Sequence, residues 1–521
     1  MKTDRIIIVG GGSAGWMTAA TLSHQFPKKE ITLIESPNAP IIGVGESTIG
    51  KINNWLSLLQ IKDTDFMKHT DASYKLSIRF EDFYKKGAGA FHYPFQQPKT
   101  DNTANGLNDW VLRKDALNGE LDVSDYADSY CSIMGLINNN TFAKDDIPDF
   151  LFNRDCAYHF DAIKFGQYLK NHRCKNVKHI VEDITEVETD ERGIKNLNGK
   201  YYADLFIDCT GFRRLLIQEN LKEEFTSYED ILPNNRALAT HIEYGYGEIE
   251  KDLKPYTNCT AIENGWVWNI PLYSRMGAGY VYSDKYVTRE QAEIEFKEHL
   301  KSQGLNHTNL KFKDIKFTPG TINRPFSKNV VAIGLASGFI EPLESNSLFT
   351  THDNLLHLIR IINRGEVNQF DRDTYNLTVK DKFRSFAEFV AMHYALSHRN
   401  DTQYWVDVQN RKYEKNIDTN EFVRFTDGFT HAITDRMIQR QYPKHEGFNF
   451  IATGMRYFAT DLSTEIKFDL RPEYDIELTK EHIVTATEYL VKQKNEWNEL
   501  GKKQKSLYKY LKENIYENST S

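Results

Sequence analysis

The chain has 521 residues, 40% of them hydrophobic and 26% charged, with a formal net charge of −8. That length allows a large buried core and roughly two to four domain-sized units. The acidic balance excludes the basic field that attracts nucleic acid or anionic lipid. Five scattered cysteines (Cys131, Cys156, Cys174, Cys209, Cys259) form no CxxC pair and no metal-like spacing, so reduced thiols in a cytosol and no metal are expected.

Arg5 to Val9 is a short β-branched run bounded by glycines and reads as a buried parallel strand. Its apolar part, Ile6 to Val9, is too short for a signal segment. No apolar run approaches the ~18 residues of a membrane span, and a soluble cytoplasmic protein is expected. Gly10-Gly11-Gly12-Ser13-Ala14-Gly15 follows and matches G-x-G-x-x-G. The spacing from Gly15 to Phe26 is helical, and Ile31 to Ile34 is a second strand.

Gly10 permits the tight turn, Gly12 lets a pyrophosphate approach the backbone beside Ser13 and Ala14, and Gly15 allows close helix–strand packing. The helix start presents free amides and positive potential to phosphates. Glu35, with Ser36 beside it, ends the second strand 20 residues after Gly15, where a carboxylate accepts bonds from ribose hydroxyls. Dinucleotide binding follows, and NAD and FAD both fit.

Further along, Val177 to Val181, Ala203 to Cys209 and Val330 to Gly334 are strand-like, the last leading to a helical stretch from Leu348 to Ile362. Asp204 to Gly211 argues for FAD, because such segments late in a chain commonly close a flavin domain; taken alone it reads equally as a buried strand with a turn. A single dinucleotide fingerprint implies no NAD(P)H site of its own, so the flavin is expected to be reduced elsewhere. Residues from about 220 to 325 read as strands with turns, as in Trp266 to Pro271 and Gly279 to Tyr282. After about 365 the pattern is mainly helical, clearest over Phe383 to His398 and over Lys480 to Tyr510, the latter interrupted by Gly501. Lys502, Lys503 and Lys505 read as a solvated helix face.

Gly265-Trp266-Val267-Trp268-Asn269-Ile270-Pro271 contains W-x-W-x-I-P. Two tryptophans at spacing two share one strand face and Pro271 ends the pairing; residue types alone favour a plain core strand. Gly43 to Ile49, Ala157 to Ala162 and Ile340 to Ser345 stand in matching order and spacing. Together, over most of the chain to about residue 405, they resemble flavin-dependent halogenases of the tryptophan-halogenase family.

The resemblance implies that the loop holding Gly45, Glu46 and Ser47 folds against FAD, and that Leu335 and Leu348 also line the cofactor. Trp266, Trp268 and Pro271 become a wall that keeps bulky substrate from the flavin. His159 and Asp161 mimic a catalytic dyad, but capping is the plainer role. Lys75 aligns with the family's catalytic lysine, which hydrogen-bonds diffusible hypohalous acid or forms a haloamine. Read without the resemblance, Lys75 is one of many lysines, most of which lie on surfaces. Glu344 aligns with the active-site glutamate, able to stabilise a cationic ring and take its proton; Glu341 reads as structural.

Two departures matter. Asn346-Ser347 replaces the Thr-Gly whose amides help bind chloride in tryptophan-specific members, so bromide or iodide is expected over chloride. Tyr93 and Phe95 resemble the positions that sandwich the substrate, but the nearest later segment, Gly447-Phe448-Asn449-Phe450, lacks tryptophan, which disfavours free tryptophan as substrate.

The expected fold is α/β: a Rossmann-type, monooxygenase-like FAD domain with an inserted sheet and a mostly helical C-terminal part. Residues 1–365 form the core, with the substrate-side sheet at about 220–325, and 366–521 cover the substrate site. The expected enzyme is a two-component halogenase using FADH2 from a separate flavin reductase, O2 and a halide on a small aromatic substrate, without nucleic acid or membrane partners. A flavin aromatic hydroxylase and a non-catalytic FAD-binding protein are the alternatives. The Lys-, Asn- and Tyr-rich composition suits a phage-encoded member.

Overall fold

The computed structural model describes residues 1–39, 43, 47–98, 110, 121–245, 247–411, 447–456 and 476–517. The first strand, β1 (Arg5–Val9), buries Ile6, Ile7, Ile8 and Val9 in succession, as a strand covered on both faces requires. The helix α1 (Ser13–Gln25) follows, then β2 (Glu30–Glu35), which pairs in parallel with β1. On its other side β1 pairs in parallel with Leu205–Asp208. The whole sheet has six strands in the order Phe326–Ser327, Val330–Ala332, Leu205–Asp208, β1, β2, Lys178–Val181. Only the pair Phe326–Ser327 and Val330–Ala332 is antiparallel. This is the doubly covered α/β sheet expected from the opening strand–turn–helix–strand pattern.

The chain forms two compact units. The first comprises Met1–Ser73, Ala157–Ala239 and Asp314–Ala387 and contains this sheet. Tyr74–Cys156, Thr240–Lys313 and Glu388–Ser521 make the second. It holds five consecutive strands of a seven-stranded sheet, in the order Arg275–Tyr282, Gly265–Pro271, Tyr256–Ile262, Ser77–Glu81, Ala90–Pro94, antiparallel except where Tyr256–Ile262 meets Ser77–Glu81.

Inside the stretch read as strands and turns lies a helix, Arg289–Ser302. Thr288 caps it by accepting from the Gln291 amide, and Ala292, Phe296 and Leu300 form its buried stripe at i, i+4, i+8. Most of the rest is charged or polar and Ile294 is exposed off the stripe, which hid the period. Near the C-terminus a helix runs Ile476–Lys502 and ends after Gly501, followed by a short strand, Lys505–Ser506, and a helix, Leu507–Leu511. Gly501 is needed there because a Cβ would overlap the carbonyl oxygen of Gly135. No helix among the described residues is long and apolar enough to cross a membrane.

Each unit encloses a histidine that burial holds neutral. In the second, His92 accepts or shares a proton with Ser77 Oγ at 3.0 Å, and burial, then Arg79, depresses its pKa to about 3. In the first, burial, then Lys382, takes His352 to about 3. Unfolded histidine binds a proton near pH 6.5, so their stability contribution is full above that pH and is lost as pH falls from 6.5 toward 3. Each group costs about 2 kcal/mol at pH 5 by that linkage. The unfolding temperature is therefore expected to drop by several degrees from pH 7.5 to pH 5. A scan of His352→Asn should show a smaller drop; an equal one removes His352 from the account.

Candidate active site

In the first unit the glycine turn is built by exclusion. Gly10 has φ 118°, and a Cβ on it would overlap the Cys209 carbonyl oxygen; one on Gly15 would overlap the oxygen of Gly10. Gly12, between them, has no heavy atom within 4 Å of its Cβ position. The outer glycines thus close helix onto strand, while the middle one leaves the start of α1 open. Ser13 Oγ donates to the Ala162 carbonyl at 2.8 Å, fixing that start, and no acidic residue lies in the first turn to oppose the amides' positive potential.

The Glu35 carboxylate leans over Gly11 and takes His179 Nε2 at 2.6 Å and Lys170 Nζ at 3.4 Å. An open amide-lined turn beside a carboxylate fits the diphosphate and ribose of FAD. Ser36 donates to Asp183 and accepts from the amides of Asn38 (3.0 Å) and Ala39 (2.9 Å), turning the chain after β2. Asp208 ends the strand beside β1 and accepts from Thr210 N (3.0 Å), Thr210 Oγ1 (2.7 Å), Leu216 N (2.8 Å) and Ile217 N (2.9 Å). Its burial pushes the carboxyl pKa up against those bonds. Its neighbour Cys209 abuts Gly10, so Asp204 to Gly211 is part of the nucleotide turn's wall rather than a remote strand.

Gly45 and Glu46 lie outside the described residues. Ser47 is buried and accepts from Ser345 Oγ at 3.1 Å; Thr48 Oγ1 donates to the Tyr158 carbonyl at 2.8 Å. Asp161 caps the helix Ala162–Arg173 by accepting from Ile163 N (3.0 Å) and Lys164 N (2.9 Å), and fully buried His159 lies 3.3 Å from Ser73 Oγ. Asp161 is thus the helix cap, while His159 sits in the interior beside Ser73. A Cβ on Gly334 would stand 2.6 Å from that of Ala14, which sets Leu335 beside the start of α1.

Pro342–Glu344 is a tight turn with Glu344 buried, and Glu341 accepts from Asn234 Nδ2 at 2.8 Å, a structural role. Ser345, left-handed at φ 54°, starts the helix Asn346–Asn363. Asn346 is buried with Nδ2 3.5 Å from the Glu341 carbonyl, the Ser347 carbonyl accepts from Thr350 (3.0 Å) and Thr351 (3.1 Å), and Leu348 is buried.

The second unit holds Lys75, 0% exposed, with Nζ 5.0 Å from the centroid of the Phe95 ring. Leu76 N donates to the Pro255 carbonyl (2.7 Å) and Phe95 N to the Leu76 carbonyl (2.9 Å), which ties lysine and ring together. Tyr93 meets Phe95 edge-on at 5.8 Å and stacks on Phe450 at 5.7 Å. Phe450 also meets Tyr126 at 5.1 Å. The segment noted for lacking tryptophan therefore supplies an aromatic partner. Its aromatic spacing was visible in the sequence, but nothing local said that Phe450 reaches Tyr93.

Trp266 and Trp268 are both buried, 6.0 Å apart. Trp268 lies over Gly279, where a Cβ would overlap its ring, and Pro271 ends the strand opposite Met276. Two strands separate them from Ala90–Pro94, which carries Tyr93. Lys75 and Glu344 belong to different units.

A glycine turn closing onto an open helix start, in a chain whose second unit buries a lysine against the Phe95 ring, is the frame of a dinucleotide-binding protein. The family model of tryptophan halogenases matches residues 5–459. The tryptophan 6-halogenase SttH of Streptomyces toxytricini is 34% identical over 439 residues, 78% of this chain and 81% of SttH. Its crystal structure superposes with a TM-score of 0.83 at 29% identity, covering 98% of this chain and 99% of that one. The apo structure of VirX1 gives 0.89 at 36% identity over 99% and 100% of the two chains. Tar14, a tryptophan C-6 flavin-dependent halogenase (chlorinase) from taromycin biosynthesis, gives 0.80 at 30% over 98% and 99%.

The chain belongs to the tryptophan halogenase family. It is a flavin-dependent halogenase, an enzyme that uses FADH2 from a separate reductase, O2 and halide. Halogenation thus prevails over the hydroxylase and the non-catalytic alternatives.

Proposed function

We propose that this enzyme halogenates an electron-rich arene other than free tryptophan through hypohalous acid directed by Lys75, with bromide or iodide preferred to chloride. The observation that carries the reading is a fully buried lysine with Nζ 5.0 Å from the Phe95 ring, which in turn meets Tyr93, itself stacked on Phe450. Reduced FAD supplies the oxygen activation that converts halide to hypohalous acid. The lysine, withdrawn from water, then offers its N–H groups to a small polar oxidant, and the surrounding rings exclude competing nucleophiles. Lys75 gives a proton to the hypohalous oxygen as the oxygen–halogen bond breaks and the carbon–halogen bond forms. Water leaves, and the Glu344 carboxylate takes the ring proton. Phe450 on Tyr93, in a C-terminal region without tryptophan from 406 to 496, supports an aromatic surface suited to a substrate other than the one SttH is named for.

The halide preference rests on Asn346-Ser347 at the start of an 18-residue helix. Oxidation of the anion becomes easier from chloride to bromide to iodide, and chloride, the most strongly hydrated, depends most on a well-shaped site to offset desolvation. The test is a panel of indoles and phenols with reductase, NADH, FAD and each halide, read by mass spectrometry. Bromide or iodide turnover should exceed chloride turnover. Asn346→Thr with Ser347→Gly should raise chloride's share; an unchanged share removes the loop as selector.

A further inference from the structure

We propose that the C-terminal tail is a positioning element for Lys75, acting through the ring of Tyr510. The inference rests on the role proposed above for Lys75. Successive residues of a strand point to opposite faces, so Tyr74, next to Lys75 in Ser73–Lys75, faces away from the ring that the ammonium approaches. Tyr74 is 0% exposed and stacks flat on Phe142, with centroids 4.3 Å apart and planes 3° from parallel. Tyr510 meets both rings edge-on, at 6.1 Å from Tyr74 and 4.9 Å from Phe142.

The tail is fastened where it delivers that ring. Lys505–Ser506 pairs antiparallel with Thr141–Phe142, the strand of the stacked ring. Thr141 Oγ1 donates to the Gly501 carbonyl at 3.0 Å, and Leu507 N to the Asn140 carbonyl at 3.1 Å. Ser506 Oγ donates to Glu250 at 2.6 Å, and Lys509 pairs with the same carboxylate at 3.3 Å. Leu507, Leu511 and Ile515 are buried beneath. The tail segment itself, from Gly501 to Ile515, lies beyond residue 459, where the family model's match ends.

A long, flexible ammonium that must meet a small oxidant needs its Cα held, because its own four side-chain bonds do not fix the tip. On the Leu76 side the backbone bonds to Pro255 and Phe95 provide this. On the Tyr74 side the Phe142 ring stacked on it, braced edge-on by Tyr510, does.

The test compares Tyr510→Ala, Tyr510→Phe and Lys75→Ala in the full chain. One readout, without flavin, is acetylation of Lys75 by acetic anhydride, followed by peptide mass spectrometry. The other, with reductase and bromide, is the ratio of a diffusible β-diketone brominated in solution to arene brominated in the enzyme. Tyr510→Ala should raise both by roughly 10- to 10²-fold, the scale of a misplacement of about 1 Å. Tyr510→Phe, which keeps the ring, should restore both. If Tyr510→Ala fails to fold, Tyr510→Leu, which keeps bulk without a ring edge, gives the same comparison. Wild-type acetylation and ratio in the alanine or leucine variant, with Lys75→Ala inactive, overturns the tail's role alone. An active Lys75→Ala overturns the reading of Lys75 itself.

Discussion

Lys75→Ala is expected to abolish arene halogenation while reduced flavin continues to be consumed by oxygen. In the role proposed for it, Lys75 acts after the oxidant exists, and it stands in the second unit, whereas the glycine turn, Glu35 and the Ser47–Ser345 contact are all in the first. Loss of a proton donor of this kind lowers the rate by ~10²–10⁴, and loss of guidance should lower it further, because hypohalous acid then diffuses away. Lys75→Arg should not rescue, since a planar guanidinium does not reproduce a compact ammonium packed 5.0 Å from a ring. Oxygen uptake and arene product are measured in parallel. Halogenation at near wild-type rate in the alanine variant would falsify the assigned role.

Glu344→Gln should slow halogenation by ~10²–10⁴ without abolishing it. The amide keeps hydrogen bonding in the buried turn Pro342–Glu344 but cannot take the proton that the ring must lose. Proton removal then limits the rate, so a ring-deuterated substrate should react measurably more slowly in the variant and not in the parent. Wild-type rate together with no isotope effect sinks the base assignment. A large loss without an isotope effect leaves Glu344 stabilising the cation rather than accepting its proton.

The nucleotide turn was legible because its constraints are local. A four-residue, β-branched Ile-Ile-Ile-Val run stopped by a glycine turn reads as a covered strand, and the glycines at 10 and 15 are demanded by contacts within one strand–helix corner. Asp161 announced its cap for the same reason. Other contacts span the chain instead: in the first unit Ser47 to Ser345 across 298 residues, and in the second Thr141 to Gly501 across 360. No periodicity records such pairings. Phe450 was read for the tryptophan it is not, when its meaning lay in the distant Tyr93 it stacks on. The helix Arg289–Ser302 escaped because charged residues outnumber its three-residue apolar stripe.

The two units are interleaved as six alternating segments, so the chain passes between them five times. During synthesis β1 is finished within the first residues, yet Val330–Ala332 and the helix Asn346–Asn363 emerge more than three hundred residues later. At ribosomal speed that delay is on the order of tens of seconds. Throughout it the apolar strands of the first unit lack part of their cover and lie open to aggregation or to holding by a chaperone. Recombination meets the same barrier. No single crossover between this gene and a relative's exchanges one unit whole; moving the Lys75 unit requires three segments to be exchanged together, and any terminal truncation that reaches the last strand of the sheet cuts both units at once.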